Sequence, residues 1–338
     1  MGEPGAGGTG RTGQHVKRER QVTDQVRTAT GRRGRRRAAG ALAVVAVAAG
    51  LTACSTGPST ARPGPRGTVS VVAAENFWGS IAAQLGGART TVTSIIANPN
   101  VDPHAYEPTA SDARILASAQ LVVVNGVGYD PWATTLLAAD PAVGRTVLDV
   151  GTLLHLPFGA NPHRWYDPAD VDAVVAAVTA DLARIDPADA GYFAARARTF
   201  TSVDLAAYHR VIASIRTRFA GTPIGASESI VAPLATALGL DLITPPSFLK
   251  ATSEGTEPTA ADKATIDAQL RTRAIAVYVE NTQNETPDVT AQVREARAAG
   301  IPVVAVTETM TPAGATFQAW QVRQLQALET ALAASRGA

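Results

Sequence analysis

Short apolar runs and amphipathic stretches alternate along most of this chain. Four Val/Ile-rich runs come first, at 68–75 (TVSVVAAE), 91–97 (TVTSIIA), 121–126 (LVVVNG) and 146–150 (TVLDV). Runs this short and continuous suit parallel strands buried on both faces. Stretches with helical spacing separate them, at 77–86, 109–119 and 131–139. A second set follows, with strands predicted at 223–227, 241–246, 274–281 and 302–308. Its helices fall near 229–239, 259–272, 288–299 and 315–335. The alternation predicts an α/β protein of two lobes, each a parallel sheet flanked by helices.

A different segment lies between the two sets. Asp186-Pro187 is a helix-start signal, with Pro in the first turn. Phe193, Phe200, Leu205, Tyr208, Val211, Ile212, Ile215 and Phe219 then recur at helical spacing up to Gly221. About thirty helical residues reach roughly 45 Å at ~1.5 Å each, enough to run along both lobes. The pattern therefore predicts an N-terminal lobe at 68–185, one long linker helix at 186–220 and a C-terminal lobe at 221–338. Two shorter helices joined near Thr199–Ser202 are the alternative, because Thr and Ser weaken a helix interior.

The head of the chain has another character. Arg32, Arg33, Arg35, Arg36 and Arg37 precede an apolar stretch from Ala38 to Leu51, which ends in Leu51-Thr52-Ala53-Cys54. The stretch is shorter than the ~20 apolar residues that span a bilayer. It has the length and flanks of a signal-peptide core. The tetrapeptide LTAC resembles the lipobox of bacterial lipoproteins, which implies that 1–54 is a lipoprotein signal segment and that Cys54 carries the lipid. An ordinary cleaved signal peptide, or a short membrane anchor, with an incidental Cys is the plainer alternative. Residues 55–67 (STGPSTARPGPRG) read as a flexible tether. Cys54 is the sole cysteine, so no disulfide can form within the chain.

The net charge of +1 conceals an asymmetry. Residues 1–54 hold 10 of the 30 basic residues and 3 of the 29 acidic ones, leaving a net of −6 for the rest. An acidic body does not predict nucleic-acid binding. With 46% apolar and 17% charged residues, it can bury a sizeable core.

Beyond residue 54 there are four histidines, His104, His155, His163 and His209. His209 falls within the predicted linker helix beside Arg210, and His155 falls in a loop. His104 and His163 each follow a proline, in 98–108 (NPNVDPHAYEP) and 161–168 (NPHRWYDP). His104 sits between a predicted strand and a predicted helix, where ligands bind in open α/β sheets. Glu228 alone reads as a helix N-terminal carboxylate favoured by the helix dipole, and Glu308 as a solvated turn residue.

The segments DPHAYEPTASD (102–112) and NPHRWYDP resemble the two His motifs of the metal-binding solute-binding proteins, the zinc/manganese receptors of bacterial ABC importers. NGVGYDPW (125–132) and SEGTEP (253–258) are similar to further segments of that family, and the resemblance covers about 68–335. It implies two α/β lobes joined by one long helix and four metal ligands, two from each lobe. By position these are His104, His163, Glu228 and Glu308, the last in place of the usual Asp. Glu280 is the reserve candidate, as a ligand or as an acceptor behind one. Asp102, Glu107, Asp167 and Asn125 are candidates to hold the ligating imidazoles through their other N–H.

Nitrogen and oxygen donors without thiolate suit Mn²⁺, Zn²⁺ and Fe²⁺ rather than Cu(I). Two carboxylates and the lack of a His-rich loop favour manganese, with zinc close. The resemblance implies an extracytoplasmic, membrane-anchored receptor that binds one divalent transition metal and passes it to an ABC permease in the plasma membrane. A monomer without enzymatic activity is expected. The competing readings are a lipid-anchored metallohydrolase and an adhesin-type lipoprotein with a structural metal. No H-E-x-x-H, G-x-S-x-G or P-loop motif supports the hydrolase.

Overall fold

The computed structural model describes residues 67–99, 101, 103 and 106–336. The predicted export segment with Cys54, the predicted tether up to residue 66, Asp102 and His104 lie outside these residues. Among the described residues, no helix is long and apolar enough to cross a membrane.

The first lobe is built on β1 (Val69–Glu75), β2 (Thr90–Ile96), β3 (Leu121–Val124) and β4 (Thr146–Asp149), in the order β2-β1-β3-β4. The second repeats that order with β5 (Pro223–Ala226), β6 (Asp241–Leu242), β7 (Val277–Asn281) and β8 (Val303–Val306), as β6-β5-β7-β8. All pairings are parallel. The inner strands β1 and β3 are buried almost throughout, whereas edge strand β2 turns threonines outward. That difference follows from helices covering both faces of the sheet centre. In each sheet the chain moves from an inner strand to one edge and then crosses back. The resulting switch points lie between β1 and β3 and between β5 and β7, and crevices for ligands form outside the strand carboxyl ends there.

In the first lobe the helices are α1 (Asn76–Gly86), α2 (Ala110–Ala117), α3 (Pro131–Ala139), the short α4 (Val150–Leu153) and α5 (Pro168–Ile185). A capping box sets the start of α2: Thr109 accepts from the N–H of Asp112, and Asp112 accepts from the N–H of Thr109. Asp167 caps α5, with Pro168 as its first residue. The second lobe carries α8 (Ala232–Leu238), α9 (Pro246–Ser253), α10 (Ala260–Arg271), α11 (Pro287–Ala298) and α12 (Phe317–Ser335). The strand predicted at 241–246 is only two residues long. Pro245 and Pro246 lack the N–H that a sheet ladder needs, and Pro246 instead opens α9.

The connecting segment opens with a 3₁₀ turn (Pro187–Asp189) and continues as α6 (Ala190–Thr199), a π-helical turn (Phe200–Asp204) and α7 (Ala206–Phe219). Hydroxyls cluster at this turn. Thr201 Oγ1 donates to the Ala197 carbonyl (3.0 Å) and Ser202 Oγ to that of Arg198 (2.6 Å). Such back-bonding loosens a helix, and the Leu205 N–H here reaches the carbonyl five residues back, at Phe200 (2.8 Å). The Thr/Ser cluster thus widens one turn without ending the helical path.

α6 packs on α1 and α5, and α7 on α8 and α12. One apolar core therefore runs from Val69 in β1, through Phe193, Phe200 and Tyr208 of the linker, to Leu332 in α12. Smaller clusters cover the outer sheet faces, around Val122 and Trp132 in one lobe and Tyr278 and Phe248 in the other. Phe200 is fully buried where the two halves of that core meet. Phe200→Ala is expected to destabilise the protein by about 3–5 kcal/mol, read from the midpoint of urea unfolding.

Candidate metal centre

Three sequence-predicted ligands converge between the lobes. His163 comes from the loop between α4 and α5. Glu228 lies two residues beyond β5, and Glu308 two residues beyond β8. One donor atom from each lies within 4.8 Å of the others. Their exposures are 0%, 0% and 2%, so bulk water does not solvate the group. Most of the sequence around the cluster serves to hold these three side chains.

The imidazole is fixed from two sides. His163 Nδ1 is 2.9 Å from Asn161 Oδ1, which also accepts the His163 backbone N–H (3.0 Å). Asn161 donates through Nδ2 to the carbonyl of Ser229 in the other lobe (2.8 Å), so its Oδ1 is the end facing the ring. That assigns the proton to Nδ1 and makes Nε2 the candidate donor atom. Trp165 meets the ring edge to face at 5.3 Å and stacks on Phe77 of α1 at 3.9 Å.

The carboxylates are held by neutral donors. Asn281, at the end of β7, donates through Nδ2 to Glu228 Oε1 (2.9 Å) and Glu308 Oε1 (2.8 Å). Asn284 Nδ2 donates to Glu228 Oε2 (2.9 Å), and Ser253 Oγ lies 3.3 Å from the same oxygen. Tyr129, from the first lobe, donates its hydroxyl to Glu308 Oε2 at 2.6 Å, a bond that joins the lobes. The methylene that Glu308 has beyond an Asp lets its carboxylate reach both Tyr129 and Asn281.

Other candidates take different roles. Glu280 does not join the cluster. It precedes Asn281 on β7, so strand alternation turns it to the opposite face, near Glu285 and Arg297. Glu107 is exposed at the surface. Asp167 caps α5 and pairs with Arg164 (3.4 Å) instead of meeting an imidazole. Asn125 acts on the backbone beside His163: its Nδ2 donates to the Pro162 carbonyl (2.9 Å), while its Oδ1 accepts from Trp78 Nε1 (3.1 Å). Asp102 and His104 lie outside the described residues. Asn161, Tyr129, Ser253, Asn281 and Asn284 were not singled out by sequence reasoning. Asn281 ends β7, Tyr129 and Asn284 follow strands, Ser253 ends α9 and Asn161 lies in a loop, so no shared position in the sequence marks them.

Burial shapes the electrostatics. Removal from water, followed by the charge of Glu308, pushes the Glu228 carboxyl from 4.5 up to about 8. Nearby, Glu75 ends β1 fully buried beside Asp130, and burial followed by the Asp130 charge raises it well above the usual carboxylate range. Asp130 is pushed to about 6 by burial, against the N–H groups of Gly126 and Asn125 that favour its charge. A buried imidazole facing two such carboxylates is a donor set for a divalent transition metal. A cation in their midst supplies the opposite charge that the cluster otherwise lacks.

Two lobes of parallel sheet with a buried nitrogen–oxygen donor cluster between them define a metal-binding solute-binding protein by fold and site. Residues 71–331 match the family described as zinc-uptake complex component A, periplasmic, and the chain belongs to that family. It is 30% identical over 164 residues to the manganese-binding lipoprotein MntA of Halalkalibacterium halodurans, covering 47% of this chain and 52% of that one. The chain spans about half the length of the curated relatives it matches. Its fold is similar to a Mn-bound periplasmic metal-binding protein (S38A mutant) from Candidatus Liberibacter asiaticus, with TM-score 0.67, 18% identity, and 78% and 100% of the two chains covered. It is also similar to the solute-binding protein FpvC of Pseudomonas aeruginosa in complex with Mn²⁺, with TM-score 0.64, 20% identity, and 80% and 100% covered.

The raised carboxyl groups have a consequence for stability. Glu228 binds a proton more tightly in the folded chain than in the unfolded one, so folding is favoured at low pH and loses that advantage as pH rises from 4.5 through about 8. Glu75 and Asp130 act in the same direction. The melting temperature of metal-free protein should fall between about pH 5.5 and about pH 8.5 in a thermal scan, and fall less in Glu228→Gln.

Proposed function

We propose that this protein is an extracytoplasmic receptor that captures one divalent transition-metal ion between its lobes and delivers it to an ABC permease. The observation that carries the reading is the buried convergence of His163, Glu228 and Glu308 from both lobes. His104 is the fourth ligand by its place in the family's motif. Membership of a metal-uptake family supports a receptor over a hydrolase. So does the donor set, because four protein ligands leave little room for the open coordination position that catalysis needs. The signal segment and Cys54 support an exported, lipid-anchored monomer at the membrane surface.

Manganese is the favoured cargo, with zinc and Fe²⁺ as the competing ions. Two carboxylates among the ligands and the likeness to a manganese-binding lipoprotein support it. The hard oxygen donors suit Mn²⁺, while the imidazole keeps the site open to Zn²⁺ and Fe²⁺.

Entry needs local motion, since the donors have almost no exposure. A cavity of about 350 Å³ lies beside the site, lined by Val127, Phe158, Asn161, Ser229, Leu249 and Ser253 among others. Its Asn161, Ser229 and Ser253 are the groups that contact His163 or Glu228. This cavity is the proposed path for the ion.

Calorimetric titration with Mn²⁺ and Zn²⁺ tests the site. Alanine at His104, His163, Glu228 or Glu308 should weaken binding at least about a hundredfold, since even partners outside the coordination sphere are worth 10–100-fold. Unchanged affinity in the His163 and Glu228 variants would refute the assignment. Burial also predicts a release rate set by the protein. In excess chelator, metal loss followed by stopped-flow should be first order and independent of chelator concentration.

A further inference from the structure

Asn281 is fully buried, and its amide has one orientation. Oδ1 accepts the backbone N–H of Gln283 (3.0 Å), so the NH₂ group is the end turned to the carboxylates. Its two N–H bonds divide between Glu228 Oε1 (2.9 Å) and Glu308 Oε1 (2.8 Å). The backbone N–H of the same residue donates to Ser227 Oγ (2.9 Å), which ties the end of β7 to the end of β5. With its oxygen turned to Gln283 and its NH₂ turned to the carboxylates, the amide presents no donor atom to an ion between them. Tyr129, Asn284 and Ser253 each hold one carboxylate. Among the hydrogen bonds of the described residues, Asn281 alone bridges both.

We propose that Asn281 is a specificity-determining residue: by strapping Glu228 to Glu308, it fixes their spacing before an ion arrives and so biases the site towards Mn²⁺ over Zn²⁺. The inference rests on the metal-capture reading. At nitrogen–oxygen sites the intrinsic affinity order places Zn²⁺ above Mn²⁺, and proteins work against that order through geometry. A strapped pair presents the same spacing to every ion. An unstrapped pair draws in around whichever ion enters, and the intrinsic order then decides. Asn281 would thus act through the two carboxylates as a positioning residue.

The test compares Mn²⁺ and Zn²⁺ affinities, by competition titration, for the wild type, Asn281→Ala and Gln292→Met. The last breaks a different buried hydrogen bond of the same lobe, from Tyr278 to Gln292 (2.6 Å), that does not touch the carboxylates. Asn281→Ala should raise the ratio of Zn²⁺ to Mn²⁺ affinity at least about tenfold, chiefly by loss of Mn²⁺ binding, within the range seen for groups that orient ligands. Gln292→Met should leave the ratio unchanged while lowering the melting temperature of the metal-free protein. The visible absorption of bound Co²⁺ should change in Asn281→Ala alone, because it reports coordination geometry. Asn281→Ser serves if the alanine variant does not fold. Equal losses for both ions, or an unchanged Co²⁺ spectrum, overturn the role given to Asn281 and leave metal capture standing. A folded wild type that binds neither ion overturns both.

Discussion

Glu228 and Glu308 face each other almost without water, and the arrangement around them follows from that repulsion. Two like charges so placed are relieved by a proton, by hydrogen-bond donors or by a cation. The chain supplies the first two itself. Burial raises the Glu228 carboxyl, and Asn281, Asn284 and Tyr129 give neutral N–H and O–H groups to the oxygens. Neutral donors steady the carboxylates without cancelling their charge, so the attraction for a metal survives. Lys or Arg at those places would hold them as firmly and leave nothing for an ion to neutralise.

Such a site is available because the same strand order occurs twice. In each lobe the switch point puts loops at the carboxyl ends of the inner strands, and the two sets of loops meet. The first lobe offers the imidazole and the Tyr129 hydroxyl, and the second offers the carboxylates. The Tyr129–Glu308 bond crosses between lobes, as does that from Asn161 to the Ser229 carbonyl. The linker packs against helices of both lobes along its length. The shared apolar core resists wide separation of the lobes, which points to local loop movement as the route for exchange.

Much of this was legible in the residues, for identifiable reasons. Val-rich runs such as 121–124 read as inner strands because burial on both faces leaves no polar position within them. The helices of 260–271 and 317–335 follow from periodicity. β6 was overestimated because a Leu-Ile pair before two prolines has strand character but no ladder to join. Of the site, His163, Glu228 and Glu308 were reached through motif order, which no periodicity could supply. Glu280 reads as a reserve candidate because a carboxylate looks like a ligand, whereas the amide of Asn281 beside it gives no such signal. The choice between neighbours on a strand depends on which face meets the cleft, and that is decided by pairing with β5 and β8. Tyr129 is hidden because its partner lies 179 residues away, and Asn161 because its contact with the nearby His163 ring depends on how the loop folds back.

The π-helical turn in the linker has a geometric consequence. An α-helix advances about 100° per residue around its axis, and a π turn accommodates one residue more than an α turn. The turn at Phe200–Asp204 therefore acts as a phase shifter. It shifts the side chains of α7 by about a quarter of a circle from where an unbroken α-helix would place them. A single helical rod can then keep apolar residues against α1 and α5 along α6 and against α8 and α12 along α7. One surplus residue thus sets which side of α7 meets the helices of the second lobe.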